Sequence, residues 1–168
     1  MSIIHDIEKR VCVKPDCLNS KIRSYILQKS KEYYINDCTK DLGYIIDIKK
    51  LVKIKDNFLS NSCSDIVFEI ILKVETIKPD VGMIFNGKVC MIFQDGILVN
   101  IKEIMKVLIP VSVLKNYELE NNIFVYKGGG EDDKIKRKEI KINDIIDVVI
   151  IGSKYSKKKY SCFGNIKE

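Results

Sequence analysis

The stretch that most restricts this chain runs from Lys78 to Ile101, KPDVGMIFNGKVCMIFQDGILVNI. Pro79 has no amide hydrogen to give to a ladder, so it belongs at a strand edge or at a joint. Gly82 and Gly87 stand five apart in an otherwise β-prone run, where glycine marks a bulge or a sharp bend. Asp95-Gly96 between two apolar runs predicts a hairpin, because glycine tolerates the positive φ of a tight turn. A strand bent on glycine and followed at once by a hairpin predicts the entry of a small coiled barrel.

The remainder of the chain fits around that entry. Downstream, Val107–Val111 reads as a third strand, 114–143 as a long connection, Ile145–Ile151 as a fourth strand and Tyr160–Ile166 as the last, with a turn over Gly152–Lys159. Five strands with one long connection predict an OB fold, a Greek-key barrel. Upstream, Ile3–Val13 reads as a strand and Asp16 as the cap of a helix over 16–34, with Leu18, Ile22, Tyr25, Ile26 and Tyr33 on its core face. A hairpin at Thr39–Leu42 leads to a strand at Gly43–Ile48. Over Lys49–Ser64 the periodicity is weak, and Asn57, Phe58 and Leu59 sit in what reads as a polar loop. Asp65–Ile77 is the clearest strand, with one parity (Ile66, Phe68, Ile70, Leu72, Val74) wholly apolar and so expected against the helix. The expected class is α+β: a helix-on-sheet, truncated RNP-like domain over 1–78 and an OB barrel over 79–168.

Composition narrows the chemistry. With 46% hydrophobic and 31% charged residues the chain is globular, and no apolar run is long enough to span a bilayer, so a soluble, intracellular protein is expected. Six cysteines include no Cys-x-x-Cys pair, and His5 is the only histidine. Zinc-ligand spacing is therefore missing, and a lone histidine in the first strand excludes most Ser-His or Cys-His arrangements unless the chain partners another. Lys127-Gly-Gly-Gly-Glu-Asp-Asp predicts an exposed loop; it lacks the Gly-Lys-Ser/Thr of a phosphate cradle, and Asp132-Asp133 lack the spaced ligands of a calcium loop. The chain is expected to be non-catalytic, with no cofactor and no metal.

Charge points to binding. From residue 134 onward there are ten basic and four acidic residues, so the formal net charge of +6 resides entirely in that last fifth. Such asymmetry predicts an acidic partner, of which nucleic acid is the common case. Lys154, Tyr155, Lys157, Lys158, Lys159 and Tyr160 place three lysines between two tyrosines and a fourth just before them, phosphate contacts beside stacking platforms for single-stranded RNA. Lys88, next to Gly87, is expected to extend that surface.

The pattern K-P-x-x-G-x-x-x-x-G-x-V followed by Q-x-G-x-x-V-x-I, carried by Lys78, Pro79, Gly82, Gly87, Val89, Gln94, Gly96, Val99 and Ile101, resembles the larger stalk subunit of multisubunit DNA-directed RNA polymerases (eukaryotic subunit seven and its archaeal counterpart). The segment Asp37–Tyr44 and the closing Cys162–Ile166 resemble that family as well. The resemblance implies a non-catalytic stalk subunit whose N-terminal domain docks on the polymerase core and whose barrel meets nascent RNA. It places the docking tip at Thr39, Lys40, Asp41, Leu42 and Gly43 together with Asn57, Phe58 and Leu59. It implies core subunits and a smaller stalk subunit as partners, with no membrane. The shortened tip and an Ile/Lys/Asn-heavy composition suggest a divergent lineage such as a large DNA virus, hence a cytoplasmic location, or a nuclear one if the source is cellular. The alternative is a free-standing OB-fold RNA-binding protein of translation or RNA decay.

Overall fold

Alternation of apolar residues along one strand organises the first of two units, Met1–Lys78. The structure, a computed structural model, describes residues 2–127 and 139–167. The first unit runs β1 (Ile3–Val13), α1 (Ile22–Tyr34), β2 (Cys38–Thr39), β3 (Gly43–Leu59) and β4 (Ile66–Ile77). The strands form one antiparallel sheet in the order β1-β4-β3-β2. Phe68, Ile70, Leu72 and Val74 of β4 are buried with Val11 and Val13 of β1, Ile45 and Ile48 of β3, and Ile26 of α1. Ser30 enters this core at little cost because its hydroxyl donates to the Ile26 carbonyl at 2.7 Å.

The helix differs from expectation at both ends. Asp16 lies in a separate 3-10 turn, Pro15–Cys17, and caps nothing in α1; the helix begins after Lys21, which has no side-chain cap. Leu18 precedes the helix and is exposed, and Tyr33 is exposed as well, so neither belongs to the core stripe.

The larger correction concerns 49–64. In place of the expected loop, β3 continues unbroken to Leu59, and its ladder with β4 slips between 45 and 47, 48 and 50, 51 and 53, and 54 and 56. Each slip leaves one β3 residue without an opposite number, which resets the two-residue alternation. The core-facing positions therefore recur every three residues, at Ile45, Ile48, Leu51 and Ile54, opposite Thr76, Val74, Leu72 and Ile70. Neither a helical nor a simple strand period describes that pattern, and this is why the segment looks aperiodic.

The sheet's other face is polar. Asp6 pairs with Lys73 at 3.0 Å, Arg10 with Glu69 at 2.7 Å, Glu8 with Lys55 at 2.8 Å, and Lys49 bridges Asp47 (2.8 Å) and Glu75 (2.7 Å). Hydrogen bonds to Asp47 and then Glu75 hold the Lys49 ammonium above its ordinary pKa.

The second unit, Pro79–Glu168, contains β5 (Ile84–Phe93), β6 (Gly96–Ile101), β7 (Met105–Pro110), β8 (Tyr117–Glu120), β9 (Ile123–Tyr126), β10 (Glu139–Ile140), β11 (Ile145–Ser156) and β12 (Lys159–Ile166). Strands β5, β6, β7, β12 and β11 close a barrel in that order, β11 pairing back to β5 and β12 running parallel to β7. This is the Greek-key order of an OB fold. Gly87 is not the bulge expected of it. It sits in regular register opposite Ile146, and the ladder slip falls at Cys90, between Val89 and Met91. Gly87 faces the barrel interior, where a Cβ would stand 2.5 Å from the Val99 side chain; at Gly164 a Cβ would stand 2.5 Å from Val148.

The connection at 114–143 also differs from expectation, since β8, β9 and β10 form a three-stranded sheet of their own. Its hairpin turns on Asn121-Asn122, both at positive φ, and it buries Phe124 completely. Most of the expected Gly-rich loop, with Asp132-Asp133, falls on 128–138 and lies outside the described residues.

These ladders make two outcomes measurable. Ile45→Ala or Ile48→Ala should each cost about 2–5 kcal/mol, while Val52→Ala, at an extra residue of β3, should change stability by less than about 0.5 kcal/mol in urea titrations. Simple alternation would make no such three-residue distinction. Cys162 is buried in the barrel and burial pushes its thiol up to about 11, so it should resist a disulfide reagent at neutral pH until the protein unfolds. Exposed Cys12 and Cys63 should react at once.

Candidate nucleic-acid interface

Closed ladders fix which side chains share a row on the outside of the barrel. Lys88 of β5 stands opposite Asn100 of β6, and Asn100 opposite Lys106 of β7. The parallel pairing of Val107 with Cys162 puts Lys106 beside Ser161 of β12, which in turn stands opposite Lys154 of β11. Strands lie about 4.8 Å apart, so the row through Lys88, Lys106 and Lys154 runs about 19 Å around the closed barrel.

A second row runs beside it. Met91 is opposite Leu98, Leu98 opposite Leu108, and Leu108 opposite Phe163. Met91 and Phe163 are 48% and 47% exposed, and Phe93 on the same side of β5 is 39% exposed. Two residues along a strand separate the rows, about 7 Å. A strip of cations beside a strip of apolar and aromatic side chains is the arrangement that holds a single strand, phosphates on one and base faces on the other.

The expected residues are placed as follows. Lys88 and Lys154 belong to the basic row. The supposed turn over 152–159 is a tight hairpin: Lys154 and Tyr155 are in β11, Lys159 and Tyr160 in β12, and only Lys157 and Lys158 form the turn. Both take positive φ, 50° and 58°, a conformation that suits Asn-Gly and strains lysine. Because β12 runs parallel to β7, this tip lies at the same barrel end as the β6–β7 turn, where Lys102 also has positive φ. Tyr155 and Tyr160 are opposite one another, and their rings meet at a centroid distance of 5.2 Å. They have the parity of inward Cys162, so they do not share a face with Lys154 and Lys159. Of the basic residues behind the localised charge, Lys134, Lys136, Arg137 and Lys138 lie outside the described residues.

Sequence reasoning missed Met91, Phe93, Leu98, Asn100, Lys106, Leu108 and Phe163. The signal was the two-residue alternation of β5, β7 and β12; only the pairing register joins those short alternations into rows.

The two halves of the expected docking tip are not together. Thr39 pairs with Gly43 across the Lys40-Asp41-Leu42 turn, whereas Asn57, Phe58 and Leu59 end the same long strand β3. Eleven ladder steps on β4 separate Tyr44↔Ile77 from Leu59↔Ile66, about 37 Å along the strand. Nor are Asn57–Leu59 in a loop: they pair with Phe68, Val67 and Ile66, so Phe58 and Leu59 point to opposite faces. Phe58 lies under the Arg10 guanidinium, 5.6 Å from ring centroid to cation, while Leu59 is 71% exposed.

Among the described residues, no three His, Cys, Asp or Glu side chains converge as a metal site. No helix of the described residues is long and apolar enough to cross a membrane.

The S1 RNA-binding domain family matches residues 78–162, half of the chain. Over 136 residues the chain is 23% identical to DNA-directed RNA polymerase V subunit 7 of Arabidopsis thaliana, an alignment that covers 79% of this chain and 72% of that protein.

If Lys157 and Lys158 serve phosphate contact, Lys157→Asn with Lys158→Gly should relieve the strained turn and raise the melting temperature by a few degrees. The same change should flatten the salt dependence of RNA binding by about 1.4 in log–log slope, at roughly 0.7 per phosphate. A stabilised protein with an unchanged slope would remove the tip from the interface.

Proposed function

The chain belongs to the S1 RNA-binding domain family, and from that premise we propose that it is a non-catalytic, stalk-type subunit of a multisubunit DNA-directed RNA polymerase, its barrel contacting nascent single-stranded RNA. The observation that carries the RNA half is the pair of adjacent rows, Lys88–Lys106–Lys154 and Met91–Leu98–Leu108–Phe163, that run side by side around the outside of the barrel. Support for the polymerase half is the similarity to a polymerase subunit, which extends over 79% of the chain and so beyond the matched S1 segment.

The division of labour follows from physics. Lysine contacts release counterions, so they set affinity and its salt dependence without reading sequence. Base stacking on Phe93 and Phe163, with Met91 packing beside them, adds about 1–3 kcal/mol per stacked base and tolerates any base. Phe93→Ala with Phe163→Ala should therefore weaken single-stranded RNA binding tenfold or more at an unchanged salt slope. Lys154, Lys157, Lys158 and Lys159 all changed to Ser should instead flatten the slope. Equal effects of the two variants on slope would contradict the assignment of separate rows.

Docking is assigned to the N-terminal unit, through the end of β3 that presents Leu59. A large apolar side chain left in water there gains about 1.5–3 kcal/mol when a partner covers it. Affinity capture of the tagged protein from its own cells should recover polymerase core subunits, and Leu59→Ser should release them with the melting temperature held within a few degrees. Recovery of ribosomal or decay factors in place of polymerase subunits would favour the free-standing RNA-binding protein.

A further inference from the structure

The outer face of β12 does not end at the apolar row. Lys159, Ser161, Phe163 and Asn165 succeed one another on that face, each about 6.6 Å beyond the last. Asn165 opens onto a cavity of about 380 Å³ lined also by Leu114, Lys115, Asn116, Tyr117 and Ile166. That volume lies near the lower limit of small-molecule sites and has room for one nucleobase. A smaller cavity of about 220 Å³ shares Tyr117 and Ile166 with it.

The lining has a chemical bias. The Asn165 Oδ1 accepts the Ile166 amide at 2.8 Å, which fixes the side-chain amide and leaves its NH₂ as the group available to a ligand. Lys115 adds a second pure donor. The Asn116 carbonyl accepts the Lys127 amide at 2.7 Å, tying down the backbone at the cavity wall. Tyr117 is braced edge-on by Tyr126, with ring centroids 5.2 Å apart, so its ring is a firm wall. An oriented amide donor and a lysine ammonium beside an aromatic ring suit a base that presents a keto oxygen.

Resting on the RNA-binding reading, we propose that this cavity is a base-reading pocket beside the apolar row, one step beyond Phe163 on β12. It selects uracil, with a keto oxygen at C4, over cytosine, which carries an amino group there. The rows supply affinity without sequence information, and the pocket adds a single position of preference.

The test compares octauridylate with octacytidylate, binding each to the full chain at one salt concentration by fluorescence anisotropy. The wild-type protein should bind octauridylate about fivefold more tightly, the equivalent of about one net hydrogen bond. Asn165→Ala should bring the ratio of the two dissociation constants to about one. Lys115→Ala, which removes the second donor from the opposite lining segment, should also reduce it, which keeps the test independent of any local effect of Asn165 on β12; a thermal melt checks that each variant is folded. Binding of both oligonucleotides without preference would overturn the pocket and leave the RNA-binding surface standing. A preference that survives both substitutions would do the same. Failure to bind either oligonucleotide would overturn the RNA-binding reading on which the pocket rests.

Discussion

Closure of the five-stranded barrel is the constraint from which the rest of the second unit follows. With β11 bonded to both β12 and β5 there is no free edge along which register can slip. Five strands also leave a narrow lumen, already filled by Val89, Val99, Val107, Val148 and Ile150. Gly87 and Gly164 face that lumen where a methyl group would collide with valine side chains. These glycines let β5 and β12 pack against their ladder neighbours, and the pairing lines up outward residues of five strands into a basic row and of four into an apolar row. The two rows are thus a consequence of the barrel's interior packing, reached through register.

The same relation explains what the sequence disclosed. The barrel entry was legible because Asp95-Gly96 and the apolar runs around it are strong local signals. The apolar parity of β4 was legible because that strand alternates without interruption. By contrast, β3 was not, since four ladder slips turn its period from two into three and spread Ile45, Ile48, Leu51 and Ile54 along 45–54. Neither periodicity nor polarity could tell that Asn57-Phe58-Leu59 continues a strand; only its partner β4 reveals it. The consequence was functional as well as structural, because the supposed docking tip separated into two ends of one strand.

Turn chemistry accounts for the remaining misses. The Lys157-Lys158 and Asn121-Asn122 hairpins adopt the left-handed backbone that Asn-Gly favours, so the first looked like a longer basic turn and the second like part of an unstructured connection. The individual lysines at 88 and 154 were legible as candidates. Their alignment with Lys106, and the apolar strip beside them, required successive cross-strand pairings that link residues as far apart as Lys88 and Lys154, 66 positions along the chain. Where charge sits can be read along a chain, but which charges share a surface cannot.

The central claim is that RNA lies across the outside of β5, β6, β7 and β12. Backbone amide chemical shifts of the isotope-labelled full chain, recorded during titration with a short single-stranded RNA, test it most directly. The account predicts that perturbations concentrate at Lys88, Met91, Phe93, Leu98, Lys106, Leu108, Phe163 and the Lys157-Lys158 turn. Perturbations confined to residues 2–77, or to the barrel strands away from both rows, would contradict it.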